Sequence, residues 1–248
     1  MRTPAAVLAA LAALAAGCGN GGAASKPSGT SVRVNTEALK PSARVFADAK
    51  VAALGARSVH LTAHVSSGEG PIAVSLTLVG SSAAEGTITY KGFPFRIVRK
   101  GRVLYFRATD AFWRHQGGSR AVRLLHGRWI KAAQTTPGFR KFPQFTDMTA
   151  FLARIFRKKP RPTELGNAGV KSYRHQRVVA LYGSGSESGD SFYVAAVGKP
   201  YPLAILGKTK DGQSFAVRFS DWNRPASIRP PKDALDLSKL KTSTVVRA

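Results

Sequence analysis

The fold is decided by residues 58–107, which read SVHLTAHVSSGEGPIAVSLTLVGSSAAEGTITYKGFPFRIVRKGRVLYFR. Apolar side chains recur at every second position, first in 59–65 and again in 72–78. That period is typical of β-strands with one buried face. Glycine and proline residues separate the runs, at 66–71 and at Gly92, where we expect hairpin turns. The stretch therefore predicts five consecutive antiparallel strands in a meander.

Helical patterns flank this meander. A short helix is predicted to begin at Ser42, as its N-cap, and to end at Gly55. Short helices are also expected between Asp110 and Leu125, with Ser119 as a candidate N-cap. A further helix is predicted from Thr146 or Asp147 to about Lys158, with an apolar face. The members of that face are Met148, Phe151, Leu152, Ile155 and Phe156.

Strand patterns resume after the helices. One short strand is expected at 127–131, and further strands are expected near 170–174, 177–182, 191–197, 202–206 and 213–220. The chain shows no internal repeat and no Pro/Gly-rich linker after residue 40. We therefore predict an α+β fold in which residues 41–248 form a single domain. Its large curved antiparallel sheet, a half-barrel of about ten or eleven strands, would wrap over two to four helices.

The N-terminus has the pattern of an export signal. Arg2 precedes an apolar run at 4–16, and the only cysteine of the chain, Cys18, follows at once. We predict a signal peptide at 1–17, and a lipidated Cys18 with a flexible tether at 18–40. A plain secretory signal with an incidental Cys18 is the alternative. The lipid anchor is favoured because a lone free thiol in an exported protein would otherwise be unusual.

The composition indicates a protein that is not an enzyme. Lysine and arginine number 38 against 13 acidic residues, which gives a net charge of +25, and there are only five histidines. One cysteine excludes a disulfide framework or a multi-cysteine metal site. His60 and His64 lie on a predicted strand, about 13 Å apart, which is too far to share a metal. No catalytic motif, metal site or cofactor is predicted.

Basic residues cluster around one predicted hairpin and at one helix end. In an exported, anchored protein we expect such clusters to face an anionic lipid surface rather than nucleic acid. A generally basic exported proteome is the alternative explanation. The candidates are Arg96, Arg99, Lys100, Arg102, Arg154, Arg157, Lys158 and Lys159.

Apolar residues of the meander and of the 146–158 helix are candidates for the lining of a ligand cavity. The helix stripe is expected to cover one sheet face, and the space between them holds either a filled core or a cavity. Sequence does not separate these two. The candidates are Leu61, Val74, Leu76, Ile88, Tyr90, Phe95, Ile97, Val103, Tyr105, Phe151, Leu152 and Ile155.

The order of four segments resembles a known family. These segments are Ser58–Thr62, Gly127–Ala132, Tyr193–Leu203 and Phe219–Pro225. From Ser58 to about Leu240 the chain looks like the actinobacterial lipoproteins of the LppX/LprG type, which are similar in architecture to the LolA/LolB carriers. The resemblance implies a half-barrel over helices, an apolar cavity for acyl chains and lipidation at Cys18. The strong basicity departs from the family.

These observations predict an exported lipoprotein that is anchored on the extracytoplasmic face of the cell membrane. It would bind or carry a hydrophobic ligand in the cell envelope, such as a lipid, a lipoglycan or the acyl chains of a lipoprotein. The alternative is an envelope adaptor with a filled core that binds proteins or anionic wall polymers. An exported hydrolase is a third and more distant reading.

Overall fold

The computed structural model describes residues 33–66, 70–136, 143–157, 165–183, 190–208 and 212–239. Its helices are α1 (Ser42–Leu54), α2 (Asp110–Leu125), α3 (Pro143–Thr146) and α4 (Met148–Ile155), with short 3-10 helices at Thr36–Leu39 and Leu237–Lys239. Its strands are β1 (Ser58–Val65), β2 (Ile72–Val79), β3 (Ala83–Tyr90), β4 (Phe93–Lys100), β5 (Val103–Ala108), β6 (Trp129–Ala133), β7 (Leu165–Tyr173), β8 (Gln176–Gly183), β9 (Ser191–Ala195), β10 (Pro202–Lys208), β11 (Ser214–Ser220) and β12 (Ala234–Asp236).

One open sheet of twelve strands contains all of these strands, in the order β12-β6-β5-β4-β3-β2-β1-β11-β10-β9-β8-β7. The predicted meander is confirmed as β1 to β5. Every neighbouring pair is antiparallel except β12 and β6, which are parallel. The short β12 was not predicted, because three residues carry no readable period.

The face of the sheet that carries α1, α2 and α4 is called the inner face. Leu61 lies opposite Leu76 on one side and Phe219 on the other, so the alternate positions of these strands share this face. Helix α1 contributes Val45 and Ala49, which are fully buried, to the main core cluster. Full burial of a valine side chain such as that of Val45 stabilises the fold by about 1.5–3 kcal/mol. The predicted α+β architecture is confirmed.

Helix α2 covers the edge of the inner face beside β6. Its buried residues Trp113, Ala121 and Leu125 form a second cluster with Ile130. The short helices predicted between Asp110 and Leu125 are present as two segments joined by a kink at Gly117 and Gly118, where the backbone is non-helical. Thr109 is the N-cap residue of the first helical segment, and Ser119, the candidate N-cap of the second, directly follows the kink.

Two predicted helix starts have different outcomes. The side chain of Asp147 accepts a hydrogen bond of 2.9 Å from the amide of Ala150, which confirms the predicted start of α4. Ser42 is not an N-cap: Pro41 holds that position, and the Ser42 hydroxyl donates to the carbonyl of Leu165 at 2.7 Å. The serine therefore ties α1 to β7 instead of capping its own helix.

The folded domain begins earlier than residue 41. Val34 bridges to Val197, and the amide of Asn35 donates to the carbonyl of Ala196 at 2.6 Å. Glu37, in the first 3-10 helix, is buried. Residues 34–40, which the sequence assigned to the tether, therefore pack on the domain.

Val103 and Tyr105 do not share the inner face. The turn after β4 pairs Lys100 with Val103 and Val98 with Tyr105, so these side chains lie on the opposite, outer face. Leu104 and Phe106 take their places on the inner face. Assigning them to the cavity was wrong because one residue of register moves every side chain to the other side of a sheet.

Candidate functional site

The helix-covered part of the inner face is filled by the protein's own side chains. Leu76 and Leu152 are 0% exposed, Ile97 is 1% exposed and Leu61 is 2% exposed. Phe151 and Ile155 of α4 pack against the same cluster, together with Val74 and Ile88. The predicted placement of the α4 stripe over the sheet is confirmed, and the core beneath it is closed.

The inner face opens at the other end of β2, β3 and β4. Ile72, Tyr90 and Phe93 lie opposite one another in one cross-strand row, and Val74, Ile88 and Phe95 form the next row. All six side chains are half-buried. We call these six residues the apolar strip. Their partial exposure on three adjacent strands makes a continuous apolar surface at one end of the inner face.

Aromatic rings of α2 border the apolar strip. The ring centroid of Phe112 lies 4.7 Å from that of Phe95 and 5.7 Å from that of Phe93. His115 stacks on Phe93 with 5.5 Å between ring centroids. The strip therefore lies between the main core cluster, which includes Val74 and Ile88 at its edge, and the α2 cluster, which includes Phe95.

Two surface depressions of the described chain lie elsewhere. One, of about 750 Å³, is lined by residues 127–129 and 231–235. The other, of about 680 Å³, is lined by Arg102, Val103 and residues 133–135. Val103 is the only predicted cavity residue in either, and it reaches the second depression from β5. Neither depression lies on the apolar strip.

Arg99 is a correction to the predicted basic surface. It is only 3% exposed. Its guanidinium donates to the carbonyl of Thr146 at 2.8 and 3.1 Å, to that of Ser81 at 2.9 Å and to that of Gly101 at 3.0 Å. Burial lowers its pKa from the ordinary value, and the nearby carboxylate of Asp147 partly opposes this. This arginine holds the fold together and does not face solvent.

The remaining basic candidates divide into two groups. Five are exposed: Arg96, Lys100, Arg102, Arg154 and Arg157. The other two, Lys158 and Lys159, lie outside the described residues. The predicted lipidation site Cys18 lies outside them as well.

Polar side chains cover much of the outer face. His60 Nδ1 lies 3.1 Å from Thr77 Oγ1, and His60 Nε2 lies 3.3 Å from Ser75 Oγ.

No group of three potential metal-ligating side chains occurs within the described residues. The described helices also include none that is long and apolar enough to cross a membrane.

Sequence reasoning placed Arg96 and Arg107 at one hairpin but missed the tryptophan beside them on this face. Arg107 lies opposite Arg96, and both guanidinium groups lie over the ring of Trp129. The hairpin register places the two arginines together. The position of Trp129 beside them depends on the pairing of β5 with β6, which are separated by α2.

No protein-family model and no curated protein matches this chain. Among solved structures, LprF from Mycobacterium bovis is similar with a TM-score of 0.55 and 12% identity, covering 80% of this chain and 98% of that one. The lipoprotein LppX from Mycobacterium tuberculosis aligns with a TM-score of 0.47 and 14% identity, covering 75% and 97%. At this level of identity the match to LprF concerns the fold, and it confirms the fold predicted from the resemblance.

Proposed function

We propose that this protein binds a hydrophobic ligand with acyl chains on the inner face, and that the chains lie against the apolar strip. The observation that carries the proposal is the strip itself: six half-buried apolar side chains on three adjacent strands, bordered by aromatic rings. An apolar surface of this kind favours a ligand that removes it from water. The LprF-like fold supports the same reading.

The proposal includes a location on the extracytoplasmic face of the membrane. Residues 1–17 would be removed as a signal peptide, a diacylglyceryl group on Cys18 would hold the chain at the membrane, and residues up to about 33 would act as a tether. Basic side chains such as Arg154 and Arg157 would add electrostatic attraction to anionic lipids, at about 1 kcal/mol per residue near the surface.

The envelope adaptor remains a second candidate because of one observation. The inner face beneath α1 and α4 is closely packed, with Leu76 and Leu152 fully buried. In that reading the apolar strip would contact an envelope protein instead of a lipid chain.

Two neighbouring tryptophan substitutions test the lipid proposal. Ile88→Trp fills the apolar strip, whereas Thr89→Trp places the same side chain on the outer face of the same strand. Both positions are half-buried, so we expect both variants to fold. Organic extraction of the purified protein and mass spectrometry should find bound lipid in the wild type and in Thr89→Trp, and much less in Ile88→Trp.

Circular dichroism checks the fold of both variants before extraction. Absence of co-purifying lipid from the folded wild-type protein would favour the adaptor. Equal lipid loads in the two variants would place any lipid site away from the strip.

A further inference from the structure

Two arginines face each other on the outer side of the sheet. Arg96 of β4 and Arg107 of β5 are direct cross-strand partners. Because Ile97 and Phe106 occupy the inner face at the next register position, both arginine side chains project outward. Side chains at such paired positions have Cβ atoms about 4.5–5.5 Å apart, and like charges placed there repel each other.

Both guanidinium groups lie close to the ring of Trp129. The guanidinium carbon of Arg96 lies 5.8 Å from the centroid of the Trp129 ring, and that of Arg107 lies 5.4 Å from it. These are cation–π distances. The ring is itself held by packing against the outer cluster of Ala83, Val98 and Ile228. The two positive groups are therefore oriented before any ligand arrives.

No carboxylate of the described residues forms an ion pair with either arginine. The ion pairs found among the described residues join other side chains. Glu85, on the same face of β3, pairs in register with Val98, which makes it a diagonal neighbour of Arg96, but no ion pair joins the two. Neither guanidinium group therefore has a carboxylate partner among the described residues, and a bound anion would reduce the repulsion between them.

An open groove begins at the same tryptophan. It has a volume of about 750 Å³, and its lining includes Trp129, Arg128 and Lys232. Part of its wall comes from residues 231–235, which are the end of the segment that leads from β11 and the first two residues of β12. The groove has room for the group that an anion would carry.

We propose that Arg96, Arg107 and Trp129 form a binding site for a phosphate ester, with the phosphate between the two guanidinium groups and the rest of the molecule in the groove. The planar forks of two arginines can donate to several oxygens of a tetrahedral phosphate, and such charge-assisted hydrogen bonds are strong. This site goes beyond the proposed function, because it lies on the opposite face from the apolar strip.

Glycerol 3-phosphate is the probe for the site. The melting temperature of the purified full chain is measured by circular dichroism against increasing glycerol 3-phosphate, with sodium chloride and sodium acetate at equal ionic strength as controls. A ligand that binds only the folded state raises the midpoint with concentration. We expect the phosphate ester to raise it more than either control salt does.

Arg96→Gln and Arg107→Gln should each weaken this effect, with about a tenfold loss of apparent affinity, because a charge-assisted hydrogen bond is removed. Arg177→Gln makes the same change of charge at an exposed position of β8 and should leave the effect intact. Arg96 is exposed, so Arg96→Gln is expected to fold even if Arg107→Gln does not.

Vesicles identify the source of the phosphate. Binding to phosphatidylcholine vesicles that contain phosphatidic acid, lost in Arg96→Gln and kept in Arg177→Gln, would assign the site to a lipid headgroup. A response to glycerol 3-phosphate without such vesicle binding would assign it to a soluble phosphate ester. The proposal is overturned if acetate or chloride raises the melting temperature as much as glycerol 3-phosphate does. It is also overturned if Arg177→Gln loses as much apparent affinity for glycerol 3-phosphate as the two site variants lose.

Discussion

At the residue scale, Arg99 shows how a charge that looks available in the sequence is used inside the fold. It lies on the inner face opposite Leu104, and its guanidinium reaches three backbone carbonyls in three separate segments of the chain. These carbonyls belong to the end of α3, to the turn between β2 and β3, and to the turn between β4 and β5. A lysine has no planar fork and cannot serve all of them at once.

Replacing Arg99 by methionine tests this role. We expect a loss of about 3 kcal/mol in the free energy of unfolding, because buried carbonyls lose their donors. Arg102→Met, at an exposed neighbouring position, should change the stability by less than about 0.5 kcal/mol. Urea unfolding of both variants measures the difference. Similar losses in the free energy of unfolding of the two variants would mean that the hydrogen bonds of Arg99 contribute little to stability.

At the element scale, α2 depends on its kink. Gly118 has φ 63° and ψ −160°, a conformation that is essentially restricted to glycine. The kink separates the aromatic first half of the helix, which borders the apolar strip, from the second half, which packs through Ala121 and Leu125. A straight helix could not direct both halves in this way.

Gly118→Ala should therefore destabilise the protein by about 1–3 kcal/mol, because the added Cβ is strained at this backbone conformation. Gly166→Ala is the matched control. Gly166 is exposed on β7, has no positive φ, and an added Cβ would meet nothing within 4 Å. Thermal unfolding compares the two, and an equal shift in melting temperature would argue against backbone strain at Gly118.

At the scale of the whole molecule, the two faces of one sheet have different chemistry. The inner face combines a closed core with the apolar strip, and the outer face combines polar side chains, the arginine pair and a smaller apolar cluster around Val98. A single sheet can do this because successive side chains of a strand point to opposite faces.

Cys18→Ala tests the anchor. The variant should lose metabolic labelling by a fatty-acid probe and should leave the membrane fraction, because stable anchoring requires acyl chains. Any remaining attachment would be electrostatic and should fall as salt rises, since exposed charges are screened within about 8 Å at physiological ionic strength. Label that persists on the variant would contradict the lipidation of Cys18.

Local patterns were sufficient for most elements of the fold. The period of two in residues 58–107 predicted the meander, and Asp147 marked the start of α4, because both signals arise between residues close together in the chain. The apolar alternation also identified Val74, Ile88 and Phe95 as inner-face residues. Strand period and helix capping arise between residues close together in the chain, so these signals can be read without knowing where the rest of the chain lies.

The tertiary structure alone decided the features that depend on distant pairings. The turn register after β4 moved Val103 and Tyr105 to the outer face, and the contact with α3 buried Arg99. The partial exposure of the apolar strip depends on where α1, α2 and α4 come to lie. Trp129 meets the arginine pair only because β6 pairs with β5 after an intervening helix. No local period encodes such contacts, since they follow from how separate elements pack together.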